Sequence, residues 1–247
     1  MTMPAREPVT PRLAATILLL RDDPFEVLMV KRNARQFFPS ALVFPGGVVD
    51  ADDWSDDWLA HLGGHEKLDA HSRALRIAAL RETFEETCLL AAEGRFDQPD
   101  HASEPDFRAL VQRIGAILNL DAIVPYAHWI TPKPAAKRYD THFFIARAPA
   151  GQEARCDGGE TVNLEWLRPE QAIALGEAGE REVLFSTRLN LLRLAECRTV
   201  DEALAAAAAR QIITVEPQVE RSETGRRVFI TPDAGYPENE HFISVPG

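Results

Sequence analysis

The stretch RETFEETCLL, Arg81 to Leu90, places Glu82, Glu85 and Glu86 within five positions of a segment with helical periodicity. Residues three and four apart share one side of a 3.6-residue turn, so the three carboxylates project together. Like charges at that spacing cost a helix roughly 0.2–0.5 kcal/mol per pair. A divalent cation would replace that repulsion with coordination. Mg2+ takes oxygen ligands, and carboxylates on successive turns of one rigid helix are a suitable anchor for it. Such an ion screens negative charge and lowers the pKa of a bound water. Arg81 can pair with Glu85 at i+4 and restrain its rotamer. The plainer reading of an isolated helix of this kind is a solvated face with an Arg–Glu pair, so its surroundings decide.

Those surroundings are elements able to position a site. Ile77, Leu80, Phe84 and Cys88 form an apolar stripe on a helix predicted from about Asp69 to Ala92, with Gly94 as its stop. Upstream, NARQFFPSALVFPGG ends in Pro45-Gly46-Gly47, where proline fixes the entry and two glycines allow close backbone approach. Leu13–Leu20 and Glu26–Lys31 read as strands joined by RDDP; Ile123–Ile130, Thr141–Arg147 and Thr161–Leu167 read as three more. Asp106–Leu118, 169–177 and 181–210 read as helical, and IITVEPQVE with RRVFITP suggests a C-terminal hairpin. Asp50–Asp57 holds five aspartates and reads as a solvated loop or short helix; a calcium loop fails because its sixth position is Ser55 rather than Gly. Strands, a long helix, strands and helices in that order make an α+β or mixed layered fold.

The 247 residues carry 27 basic and 38 acidic side chains, a net charge of −11 that repels nucleic acid and anionic membranes. Cys88, Cys156 and Cys197 are too scattered for a cysteine zinc site or a disulfide framework, so cytoplasm is the expected compartment. The apolar run Leu13–Leu20 is too short to span a membrane.

PGG followed by RETFEETCLL resembles the Nudix box, a Gly, five residues, Glu, seven residues, then Arg-Glu-U-x-Glu-Glu-x-Gly-U with U apolar. Arg81, Glu82, Glu85, Glu86 and Leu89 are in register; Thr83 stands at an apolar position and Cys88 at the glycine. Beyond five intervening residues Gly47 is followed by Asp53 rather than Glu, and 27 residues rather than seven separate it from Arg81. The excess of 20 is an insertion, and an insertion at this point is a trait of a Nudix subgroup that includes the mammalian peroxisomal coenzyme A diphosphatase, which RQFFPSALVFPGGVVDADDWSDDW and TPKPAAKRYDTHFFIA also resemble. The similarity runs from about Leu13 to Trp166, and more weakly through the helical C-terminal part.

The resemblance implies a Nudix fold, a mixed sheet sandwiched between helices as α/β/α, over residues 11–210. Residues 1–10 would be a flexible N-terminus, 51–70 the insertion, 169–210 a helical part and 211–247 a C-terminal extension. It implies metal ligation by Glu82, Glu85, Glu86 and the Gly47 carbonyl, with Mg2+ as the ion and Mn2+ as a substitute. Glu82, Arg81 and Glu85 would be the catalytic set. Glu82 is the first choice of general base, with Glu160 and Glu165 as outside candidates. Arg32, Arg35, Lys137 and Arg138 are candidates to meet substrate phosphates through charge-assisted hydrogen bonds; ordinary surface charge is the alternative. The implied reaction is hydrolysis of a diphosphate linkage in a nucleoside diphosphate derivative, with coenzyme A or acyl-coenzyme A leading. Products would be 3′,5′-ADP and (acyl-)phosphopantetheine. A non-catalytic Nudix-fold binding module and a nucleoside triphosphate pyrophosphatase are the alternatives. A small-molecule diphosphate is the expected partner, a homodimer is compatible, and nucleic acid and membrane are not expected. Trp54 and Trp58 pack a short helix or form a lid. His61, His65 and His71 read as solvated, with zinc as the minor alternative. Glu165-Trp166 resembles the Glu-Trp segment common near the end of Nudix domains, with Trp166 in the core.

Overall fold

The structure is a computed structural model that describes residues 8–32, 41–99, 106–156 and 161–244. Strand β1 (Arg12–Arg21) is apolar over nearly its whole length because both of its faces are covered. Its side chains alternate: Ala15, Ile17 and Leu19 join one core, Leu18 and Leu20 another. The chain continues through β2 (Glu26–Arg32), β3 (Ala41–Val43), β4 (Gly46–Val48) and β5 (Leu62–Gly63) to helices α1 (Ala70–Thr87) and α2 (Phe107–Ile114). Then come β6 (Leu118–Asn119), β7 (Val124–Ile130), β8 (Tyr139–Arg147), β9 (Thr161–Leu167), α3 (Pro169–Glu177), β10 (Glu182–Val183), α4 (Phe185–Leu194) and α5 (Val200–Ala209). Strands β11 (Thr214–Val215), β12 (Gln218–Arg221), β13 (Gly225–Phe229) and β14 (Glu240–Ser244) follow.

Nine strands form a mixed sheet in the order β10-β3-β2-β1-β8-β7-β11, with β4 paired to β1 and β9 to β2. β1 runs parallel to β8 and antiparallel to β2 and β4. Helices α1 and α2 cover one face, through Ile77, Leu80, Phe84, Phe107 and Leu110. Helices α3, α4 and α5 cover the other, through Ile173, Leu189, Leu194, Val200 and Ala203. This is the expected α/β/α sandwich. One register row crosses the α1 face in the order Thr214, His128, His142, Ala15, Gly47. Directly paired residues point to the same side of a sheet, so these five positions share a face with α1.

Helix α1 starts where its sequence signal lies: Asp69 accepts the Ser72 N–H at 2.7 Å as its N-cap. It stops at Thr87 rather than near Ala92. Cys88 takes the left-handed conformation, φ 56°, and its N–H returns to the Phe84 carbonyl. The family's glycine position is thus a helix C-cap, filled here by a buried cysteine. Thr83 and Thr87 are buried at apolar positions because their hydroxyls donate to the carbonyls one turn back, Ala79 and Thr83. The single helix expected over 181–210 is two, since Thr199 caps α5 by accepting the Glu202 N–H.

Beyond residue 211 the chain is more than a hairpin. β11 adds to the main sheet beside β7, and β12, β13 and β14 form a separate three-stranded sheet. Ile230 and Ala234 are buried in the α3–α5 core. No helix among the described residues is long and apolar enough to cross a membrane. Residues 1–7 of the expected N-terminal arm lie outside the described residues.

Candidate active site

The Pro45-Gly46-Gly47 turn leads into β4, which lies against β1 and faces the C-terminal half of α1. The Gly46 N–H donates to Glu86 Oε2 at 3.0 Å, fastening the turn to the helix. At Gly47 a Cβ would stand 2.3 Å from Glu82 Oε2, so only glycine lets the backbone approach that carboxylate. Gly46 has φ 153°, and a Cβ there would meet the Ala15 carbonyl at 2.5 Å. The two glycines therefore answer two different close approaches, one to a strand and one to the glutamates.

Arg81 is the hub. Its Nε and Nη2 donate to the two oxygens of Asp53 at 3.0 Å each; Nη1 donates to Glu82 at 2.9 Å and Glu85 at 3.0 Å; Nη2 also donates to the Val48 carbonyl at 2.9 Å. One guanidinium thus joins α1, β4 and the insertion in a bidentate, charge-assisted arrangement. Burial alone would lower the Arg81 pKa, but the Asp53 hydrogen bonds and the charges of Glu82 and Glu85 raise it above its ordinary value. Burial raises the Asp53 carboxyl, and the two bonds from Arg81 offset part of the rise. Burial also pushes the Glu82 carboxyl up to about 7, with neighbouring Glu85 adding to the shift and Arg81 opposing it. Glu82 is thereby a carboxylate able to exchange a proton near neutrality.

Of the two expectations for the insertion, a solvated loop or a short helix, the structure has short helices, with Asp50, Asp52, Asp56 and Asp57 exposed and Asp53 buried. Its 3-10 turns, Asp52–Trp54 and Asp56–His61, dock on α1 and α2. All five aspartates of Asp50–Asp57 meet arginines: Asp50 and Asp53 meet Arg81, Asp56 meets Arg73, and Asp52 and Asp57 meet Arg108. Trp58 is fully buried, donates its Nε1–H to the Asp52 carbonyl and packs on Phe107. Trp54 remains exposed beside His71. Asp53, an acid separated from Gly47 by five residues, was visible in the sequence as a box position; its pairing with Arg81 across 28 residues was not.

The remaining candidates are placed differently. Arg138 is buried and committed to the Thr131 and Val9 carbonyls and to Glu216. It fastens the β7–β8 turn, which corrects its expected role as a phosphate ligand. Lys137 is exposed in the same turn. Arg32 ends β2, while Arg35, Glu160 and the Arg32 side chain lie outside the described residues. Glu165 pairs with Met29, whose side chain belongs to the α3–α5 core, so its carboxylate faces away from α1 and beside Arg181. Glu165 is therefore removed from the general-base candidates. Trp166, opposite Leu28, packs partly against the α1-side core with Arg21 stacked 4.4 Å from its ring.

The donor set on α1 and the turn is all oxygen and rich in carboxylate, which suits a hard divalent cation. Glu82 and Glu86 lie against the Gly46-Gly47 turn and Arg81 ties Glu85 to Glu82, so these carboxylates and the Gly47 carbonyl could hold such an ion.

A mixed sheet between helices and a double-glycine turn against a glutamate helix are the features expected of a Nudix domain, and the chain is similar to the Nudix hydrolases in sequence and in fold. A family profile described as the NUDT19 Nudix domain matches residues 6–72. Acyl-coenzyme A diphosphatase NUDT19 of Gallus gallus is 30% identical over 240 residues, covering 66% of this chain and 62% of the relative. The NUDT19 of Xenopus laevis is 28% identical over 205 residues, covering 60% of this chain and 54% of the relative. Putative nudix hydrolase 7 of Caenorhabditis elegans is 27% identical over 201 residues, covering 77% and 62%. The chain thus spans between 54% and 62% of the length of these relatives. Among solved structures, a NUDIX hydrolase from Alicyclobacillus acidocaldarius superposes with a TM-score of 0.73 at 26% identity, covering 82% of this chain and 99% of that one.

Proposed function

We propose that the chain hydrolyses a diphosphate linkage with Mg2+ as its ion, and that coenzyme A or an acyl-coenzyme A is its substrate. The observation that carries the reaction is the opposition of Glu82 and Glu86 to the Gly46-Gly47 turn, with Glu85 tied to Glu82 through Arg81. The substrate class rests on the likeness to the acyl-coenzyme A diphosphatases.

A divalent cation, when bound, would supply charge screening and a more acidic water. Glu85 and Glu86 would hold it together with the Gly47 carbonyl. Arg81 restrains Glu82 and Glu85, so both carboxylates enter the reaction pre-oriented. Glu82, with its carboxyl near 7, would accept the proton of the attacking water. The water oxygen bonds to one phosphorus, the bridging P–O bond breaks, and the released phosphate group leaves with the bridging oxygen. Coenzyme A plus water would give 3′,5′-ADP and phosphopantetheine, the acyl group staying on the latter. Arg32, Arg35 and Lys137 are our candidates for the substrate phosphates.

The test is a panel of diphosphate substrates with Mg2+ or Mn2+, with and without EDTA, repeated on Glu86→Gln. Activity should need the metal and fall by at least about 100-fold in the variant, the scale of losing one electrostatic contact in a transition state. An inert wild-type protein would overturn the hydrolase, and a fully active Glu86→Gln would overturn the metal site.

A further inference from the structure

The row that reaches the active site at Gly47 carries a second group of ligand-type side chains at its other end. His128 on β7 and His142 on β8 are directly opposite in the antiparallel ladder, and Asp140 lies two residues before His142 on the same face. His128 Nε2 is 2.5 Å from Asp140 Oδ1, and His142 Nε2 is 3.9 Å from that same oxygen. The two imidazoles stack with centroids 4.0 Å apart and an interplanar angle of 20°. One donor atom from each of the three residues lies within 4.8 Å of both others. Ligands of a tetrahedral zinc ion, at bond lengths of roughly 2.0–2.2 Å, stand about 3.3 Å apart, so small rotations would close the set.

We propose that His128, Asp140 and His142 bind a divalent transition-metal ion, of which Zn2+ is the best match, at a site separate from the carboxylates of α1. Two imidazoles and one carboxylate are the donor set for borderline ions, whereas the all-oxygen site at Gly47 suits Mg2+. Two inter-strand steps, on the order of 10 Å, separate His142 from Gly47 along the row. The second shell is built: His128 Nδ1 meets Thr214 Oγ1 at 2.7 Å, which orients the ring and leaves Nε2 toward Asp140. A roof is present as well, since the His71 ring of α1 stands 5.6 Å from His142 and Trp54 stands 5.8 Å from His71. A simple His128–Asp140 ion pair accounts for one contact. It does not account for a second, half-buried imidazole brought face to face with the first and aimed at the same oxygen. A shared cation accounts for both. The site needs no assumption about the reaction at α1.

The experiment uses the untagged full chain, stripped with a chelator and returned to buffer with excess Mg2+ to hold the carboxylate site. Co2+ is titrated as the spectroscopic probe and then displaced with Zn2+. Wild type and Glu86→Gln should each bind one equivalent with a visible ligand-field band that Zn2+ abolishes, and Zn2+ should raise the Tm of both. His142→Asn and His128→Asn should bind at least about 100-fold more weakly and show no Zn2+-dependent rise in Tm, and Thr214→Val should fall about tenfold. Asp140→Asn, checked by circular dichroism for a native fold, serves if a histidine variant fails to fold. Absence of stoichiometric binding, binding lost in Glu86→Gln, or binding unchanged in folded His128, His142 or Asp140 variants would overturn the site.

Discussion

Replacing Arg81 by methionine removes the arginine that pairs with a carboxylate with no solvent exposure. Asp53 is 0% exposed and accepts two hydrogen bonds from Arg81 and one from the Asp50 N–H. In Arg81→Met, Asp53 keeps only the last, and Glu82 and Glu85 lose the charge that held them together. Breaking a buried pair from one side costs about 3–5 kcal/mol, against a typical total stability of about 5–15. Asp53→Asn is the milder change, because Arg81 retains Glu82, Glu85 and Val48; it should cost about 1.5–3 kcal/mol. Arg81→Met/Asp53→Leu should be more stable than Arg81→Met alone, since the stranded charge is gone. The pH dependence has a definite sign. Burial already raises Asp53 above 3.8, and loss of Arg81 raises it further. A raised carboxyl favours the folded state below its unfolded pKa and loses that advantage as pH rises through its folded value. The deficit of Arg81→Met should therefore be small in acid and grow toward neutrality. Urea unfolding in EDTA, followed by the emission of the four tryptophans, measures it. A deficit below about 1 kcal/mol at neutral pH, or Asp53→Asn proving the more damaging, would refute the clamp.

Other consequences are similarly direct. Glu82, raised from 4.5 to about 7, should strip stability from the metal-free protein as pH climbs from 4.5 toward 7, by up to roughly 3 kcal/mol. The difference between wild-type and Glu82→Gln unfolding profiles should show this slope, and a flat difference would contradict it. Gly47→Ala should displace the Glu82 carboxylate and lower kcat at least about tenfold while Tm changes little, because the clash is with the end of a flexible side chain. Trp58→Ala should cost about 3–5 kcal/mol in equilibrium unfolding, since its ring is wholly enclosed and joins the insertion to α2. Cys88→Val should destabilise by about 1–2 kcal/mol, a β-branched residue being poorly suited to a left-handed helix cap.

The insertion shows why a sequence can mark a position and miss its use. DADDWSDD reads as a hydrated acidic loop when the charges are counted alone, because the arginines that neutralise them lie on other elements. Arg138 shows the converse. In the chain it is one of several basic residues near a loop, and its commitment to Val9, Thr131 and Glu216 comes from segments up to 129 residues away.

Short-range information by itself determined much of this protein. The continuous apolar run of β1, the Asp69 cap, the stripe of Ile77, Leu80 and Phe84, and the glutamate spacing on α1 all depend on residues within a few positions of one another. Helical and strand periods express such information directly. Strand register decided the rest. It put Glu165 on the face away from α1, set Gly47 against Glu82, and brought His128, Asp140 and His142 to one point. A one-residue slip would send each of these side chains to the other face, and which register holds depends on burying both faces of the sheet at once.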